Sequence, residues 1–204
     1  MITIITSVAL CLIAVVIHEV SHGFVAYKLG DTTAKDMGRL TLNPIAHIDA
    51  VGTFIVPIGL ALIHSPISFG WAKPVPIDFR RLHHPKKDMI WISLAGPAAN
   101  LLLATGLSLL LHTGIISELK IGGNPIIFIA ILINLFLAIF NLIPIPPLDG
   151  SRILIGLLPP AQAYKYSKLE PYGFIIVFSL LYFGIIEKVL YPLILTLMRF
   201  LYAG

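Results

Sequence analysis

Charge is what this sequence has least of. Asp, Glu, Lys and Arg make up 12% of its 204 residues, about half the share of an ordinary soluble domain. That scarcity, beside 57% hydrophobic residues and a mean hydropathy of +0.94, argues against a soluble globular protein. It reads as a polytopic membrane protein, with 1–204 as a single domain and no room for an appended soluble one. Cysteine is almost absent: Cys11 stands alone. An intramolecular disulfide is therefore excluded, and a thiolate metal ligand is disfavoured because only apolar residues accompany it. No internal repeat is evident, which disfavours an inverted-repeat transporter. The first apolar run lacks a basic lead-in, so it reads as a retained transmembrane helix rather than a cleaved signal. The net charge of +4 is carried by short loops. That suits an anionic leaflet of the lipid bilayer and gives no sign of nucleic-acid binding.

What is present in quantity is long apolar runs. Segment 2–27 predicts a helix of about 39 Å, enough to cross roughly 30 Å of hydrocarbon. Segments 89–112 and 125–143 predict two more spans, giving a core of three transmembrane helices. Segment 51–64 is short for a span and holds Pro57 and Gly59, so it reads as re-entrant or interfacial. Segment 173–202 is interrupted by Glu187-Lys188 and Pro192 and predicts one or two C-terminal helices. The loops 28–50 and 65–88 carry most of the basic residues. Short β-strands are expected in them at Met37–Leu42 and Phe69–Ile77, the second because each proline pushes the residue before it away from helix. The fold class expected is thus all-α and polytopic, with a re-entrant segment and short loop strands.

The chemistry is concentrated in His18-Glu19-Val20-Ser21-His22, which reads H-E-x-x-H near the end of the first apolar run. On a helix, positions i and i+4 share a face, so His18 and His22 can present two imidazoles to one metal while Glu19 holds a water. Ionisable residues within a membrane helix are costly and mark function by default. A catalytic zinc usually takes three protein ligands and leaves a fourth position open. The metzincin continuation would need histidine at position 28, which is Lys28. Asp149 is the leading third ligand, because Pro144, Pro146 and Pro147 break the backbone just before it. Glu187 is next, although Lys188 beside it offers a plain ion pair. If Asp149 meets the histidines, helices 2–27 and 125–143 run the same way, 89–112 runs between them, and 51–64 does not cross. The two basic loops then share one face, which the positive-inside rule makes cytoplasmic.

The pairing of His18-Glu19-x-x-His22 with Asn141-x-x-Pro144-x-x-x-Leu148-Asp149-Gly150 resembles the site-2 protease family of intramembrane zinc metalloproteases. Gly23, the Ala95-Gly96-Pro97 span and Arg152 extend the likeness. The resemblance implies one zinc ion held by His18, His22 and Asp149, with Glu19 as general base. It implies that Asn141 steadies the substrate carbonyl or oxyanion, although Asn141 could instead bond a carbonyl freed by Pro144. Longer relatives carry a helix before the motif helix, a PDZ module or a CBS pair, none of which is expected here. The implied function is an endopeptidase that cuts membrane-anchored proteins in or near a transmembrane segment, in a multi-pass cell-membrane protein whose site opens toward the cytoplasmic face. The substrate helix must unwind locally, and Phe69–Ile77 or Arg39–Leu42 could hold it by strand addition.

Two other classes compete. A metal transporter or sensor could use the same ligands, but transport needs several comparable sites along a path. A membrane-tethered zincin acting on soluble segments would place H-E-x-x-H in a polar region with a glutamate ligand. Asn100 reads as interhelical glue, His47 and Asp49 as turn chemistry or function in equal measure, and His83-His84 as a solvated interfacial face.

Overall fold

The computed structural model describes residues 2–62, 70–113, 120–121 and 124–202. Helix α1 (Ile2–Lys28) runs the full length of the first apolar segment and stops where Gly30 adopts φ 108°. Then come α2 (Thr33–Asp36), a 3-10 turn at Pro44–His47, a π-turn at Ala50–Ile55, α3 (Val56–Leu62) and α4 (Pro85–His112). A two-residue ladder pairs Lys120–Ile121 with Asn124–Pro125 before α5 (Ile126–Asn141). The remainder is α6 (Asp149–Leu157), α7 (Pro160–Ser167), α8 (Gly173–Tyr182) and α9 (Ile185–Tyr202).

Helix α4 packs against both α1 and α5. Its direction relative to α1 follows from three contacts. Asn100 bonds the Ala14 carbonyl, the Ile92 carbonyl meets His22, and His83 N–H donates to Leu29 O. The number on one helix falls as the other rises, so the two are antiparallel. Asn134 of α5 lies level with Asn100, and Asn141 lies level with His22 and Asp149. Helix α5 therefore runs the same way as α1, as the sequence parity requires. On the far side of α5, Ile127, Ile131 and Leu135 pack against Ile186, Leu190, Ile194 and Met198 of α9. Both sets recur every four residues, which is one face of a helix.

Several expectations need correction. Helix α5 has 16 residues, about 24 Å, because the proline run from Pro144 removes the donors a longer helix would need. Among the described residues, two helices are long and apolar enough to cross a bilayer, Ile5–Lys28 and Pro85–His112. A third crossing is available if Pro160–Tyr182 and Ile185–Leu201, which meet at a 73° bend, count as one span. Gly184, at φ 66°, makes that bend, so 173–202 is two helices. The described part of 51–64 is helical, and His64 lies outside the described residues.

Neither expected loop strand is present among the described residues. Met37–Leu42 turns at Gly38, φ 64°, because Asp31 caps the start of α2 and a left-handed glycine ends it. Phe69 lies outside the described residues. From Gly70 to Asp78 the chain has no helix, in keeping with its prolines, and joins no ladder among the described residues. Pro74 and Pro76 cannot donate, and the N–H groups of Trp71, Lys73 and Val75 go to Gly52 O, His47 O and the Glu19 carboxylate. The two basic loops are in contact. Arg81 bonds Thr32 Oγ1 and lies 3.7 Å from the Asp36 carboxylate, and Asp78 N–H donates to Asp31. The Arg80 guanidinium beside Asp78 holds that carboxyl below its ordinary range.

Candidate metal centre

His18 and His22 are one helical turn apart on α1, and Asp149 is the first residue of α6. The proline-broken stretch after α5 delivers Asp149 to them across 127 residues of chain. His18 Nε2 lies 3.1 Å from Asp149 Oδ2, His22 Nε2 lies 3.2 Å from it, and the two Nε2 atoms are 3.0 Å apart. These three ligand atoms form the cluster of metal-binding type found among the described residues. Ligands of a tetrahedral zinc, bound at 2.0–2.2 Å, stand about 3.3 Å from one another. Three lone-pair atoms this close repel unless a cation lies among them, so the donor set fits a zinc ion.

The other ring nitrogens are already committed. His22 Nδ1 donates to Ile92 O at 2.6 Å. That oxygen can only accept, so the proton sits on Nδ1 and the Nε2 lone pair faces the cluster. His18 Nδ1 donates to Asn100 Oδ1 at 2.6 Å. The orientation of Asn100 follows from a relay. Asn134 Nδ2 donates to the Ala130 carbonyl, which leaves its Oδ1 to accept from Asn100 Nδ2. Asn100 Nδ2 also donates to Ala14 O. The acceptor end of Asn100 must therefore point at His18. Such partners fix the tautomer and ring orientation of a ligating histidine.

Gly96 on α4 faces the same rings. A Cβ there would lie 2.6 Å from His18 Cε1 and collide with His22 Nε2. The Ala95-Gly96-Pro97 run thus does more than bring two helix backbones together. Pro97 also leaves the Ser93 carbonyl without its helical donor, and Ser93 lines the cavity.

The cavity beside the cluster measures about 130 Å³. Glu19, Val75, Asn141 and Arg152 are among the residues around it. Glu19 Oε2 accepts the Val75 N–H at 2.9 Å. Asn141 Nδ2 donates to Leu137 O within its own helix, so one N–H of its amide remains. Arg152 sits one turn along α6 from Asp149, with its guanidinium 5.8 Å from the centre of the Phe79 ring.

All five residues singled out for chemistry, His18, Glu19, His22, Asp149 and Asn141, therefore surround one cavity. Glu187 is exposed in the first turn of α9 and joins no metal-type cluster among the described residues. Asp49 serves a turn, while His47 is fully buried and its Nδ1 has no partner among the described residues. His47 Nε2 bonds Thr41 O, and Asp49 caps Gly52 N–H. His83 and His84 are exposed. Val75 carries no signal in the sequence, whereas Asn134 offered one that was not used, an asparagine in so apolar a helix.

A sequence profile of peptidase family M50 matches residues 6–183. YwhC of Bacillus subtilis, a candidate zinc metalloprotease by its name, is 39% identical over 189 residues, covering 90% of this chain and 83% of that protein. Rip2 of Mycolicibacterium smegmatis, named in the same way, is 31% identical over 83% of this chain and 64% of its own length. A zinc metalloprotease of Methanocaldococcus jannaschii is 27% identical over 96% of this chain and 47% of its own length. The chain thus spans most of the first, under two thirds of the second and about half of the third. No solved structure matches it significantly. A histidine pair and an aspartate converging on one point, within a profile match that covers most of the sequence, place the chain in peptidase family M50.

Proposed function

We propose that this metallopeptidase holds one zinc ion per chain through His18, His22 and Asp149. It hydrolyses peptide bonds of membrane-anchored proteins within or near their transmembrane segment. The observation that carries the reading is the convergence of the three ligand atoms at the end of a helix apolar and long enough to cross a bilayer. Zinc, when bound, supplies Lewis acidity to a carbonyl and to water. Glu19 takes the proton of the attacking water and returns it to the leaving amine nitrogen. Asn141, with its remaining N–H, steadies the substrate carbonyl oxygen. Asn100 and the Ile92 carbonyl keep both imidazoles aimed at the metal throughout.

In this reading α1, α4 and α5 form the membrane core around the zinc, residues 50–62 dip into the bilayer without crossing, and the site opens toward the cytoplasmic face of the cell membrane. The exposed Val51, Phe54, Ile55 and Ile58 suit a dipping segment. Single cysteines placed at 30–36 and at 80–87 should react with a membrane-impermeant maleimide from the same, cytoplasmic side. Reaction from opposite sides would mean that 50–62 crosses.

The function is tested by co-expressing the protein with a tagged single-span substrate. Wild type should release the tagged fragment. Glu19→Gln should lower the rate about 10²- to 10⁴-fold, the usual contribution of general acid–base catalysis, while keeping its zinc. Cleavage undiminished in Glu19→Gln would remove Glu19 from the mechanism.

A further inference from the structure

Residues 71–78 form a strap without helix or ladder among the described residues, which lines the cavity through Pro74, Val75 and Ile77 and is pinned at both ends. Trp71 N–H donates to Gly52 O at 3.1 Å, Lys73 N–H to His47 O at 2.9 Å, and Asp78 N–H to the Asp31 carboxylate at 2.8 Å. Between these points Val75 N–H holds Glu19 Oε2. Pro74 and Pro76 flank it, so Val75 has the one N–H that this part of the strap can offer. Its side chain seats on α1 at Gly23, where a Cβ would lie 2.7 Å from Val75 Cγ1. Gly23 is four residues beyond Glu19, so the helix presents the carboxylate and the seat on one face.

Packing does not explain Arg39. It is only 8% exposed and forms no ion pair among the described residues. Burying a guanidinium is costly unless its donors are used. Its buried Nε has no partner among the described residues, and the donor that is used is Nη2, which reaches Lys73 O at 3.0 Å and Pro74 O at 3.3 Å. The Pro74 carbonyl and the Val75 N–H belong to one peptide plane, rigid by resonance. A cation therefore grips one edge of that plane while the Glu19 carboxylate takes the other. Charge on the carbonyl oxygen also polarises the amide and strengthens its N–H as a donor.

We propose that Arg39 is a positioning residue for the general base. Acting through the Pro74–Val75 peptide, it anchors one oxygen of Glu19 and leaves the other turned to the water. The inference rests on the assignment of Glu19 above.

The test measures kcat and KM of the full-length protein in liposomes on one tagged single-span substrate, together with zinc content and melting temperature. Arg39→Met should lower kcat about 10- to 100-fold, the scale of a lost charge-assisted hydrogen bond, with KM and bound zinc unchanged. Arg39→Lys, which keeps the cation and a donor, should recover part of the loss. Val75→Pro removes the N–H but keeps an extended backbone, and should match Arg39→Met. Val75→Ala, which keeps the N–H but loses the side chain's seat on Gly23, should lose less of kcat than Val75→Pro. The double variant Arg39→Met/Val75→Pro should be no slower than either single one, because both act on one peptide. If Arg39→Met does not fold, Val75→Pro against Val75→Ala decides. Wild-type kcat in Val75→Pro, or a rise in KM alone, would overturn the proposal while Glu19→Gln stays inactive. Undiminished activity in Glu19→Gln would overturn the underlying assignment instead.

Discussion

Asp149→Ala is expected to purify without zinc and without activity, yet folded. In the proposed site the carboxylate supplies one of three ligand atoms, and its loss leaves two imidazole nitrogens 3.0 Å apart with no third partner in the cluster. Removing a mere supporting partner of a ligand costs about 10- to 100-fold in metal affinity, so removing the ligand costs more. The fold should survive because Asp149 caps no helix. Its side chain contacts the two histidines, and α6 keeps its packing on α4. Zinc content after purification and a melting curve in detergent test both halves. Stoichiometric zinc in Asp149→Ala would mean that another residue completes the set. Asn100→Leu belongs in the same experiment as the milder case, with zinc weakened within that 10- to 100-fold range.

Gly96→Ala should be nearly as severe although it deletes nothing. The added methyl meets both imidazoles at once. Neither ring can retreat, since Asn100 and the Ile92 carbonyl hold their Nδ1 atoms. Either α4 moves off α1 or one histidine leaves its rotamer. Overpacking of this kind typically costs about 1–3 kcal/mol, and it falls on the zinc ligands. Zinc titration should show affinity down at least tenfold, with a lowered melting temperature. An unchanged affinity and melting curve would show that the helices yield more easily than the close contact implies. Gly106, on the same helix, has open space around its Cβ position, so Gly106→Ala is the control.

What could be read from the sequence follows the range over which each signal acts. The histidine pair is a local pattern, and its i, i+4 spacing guarantees a shared face on any helix. Asp149 was reachable through parity, because a ligand arriving from a parallel helix must follow an odd number of crossings. The length of α1 also followed from its apolar run, whereas α4 begins at Pro85, four residues before the apolar run at 89. The strap was half legible: its prolines forbade helix, but nothing local says that a stretch without helix has no strand to pair with. Its partners are a carboxylate on α1 and a guanidinium 34 residues earlier, brought together only by the fold. The same is true of Gly96. A glycine beside a proline in an apolar helix suggests close backbones, and only the three-dimensional arrangement reveals two imidazoles against it. Asn100 shows the limit most clearly. The sequence reading of interhelical glue is correct, since it joins α1 and α5. It is also incomplete, since the same amide sets the proton of His18.

The shortness of α5 has a mechanical consequence. At about 24 Å it falls some 6 Å below the roughly 30 Å hydrocarbon thickness. Were α5 to cross the bilayer, as in the proposed core, lipid beside it would have to thin or the helix to end below the headgroups; either deformation costs only fractions of a kcal/mol per Å. The end concerned carries Asn141, the proline loop and Asp149. In the proposed membrane core, thinning at that end would bring the aqueous boundary closer to His18, His22 and Asp149 and shorten the path that water has to travel.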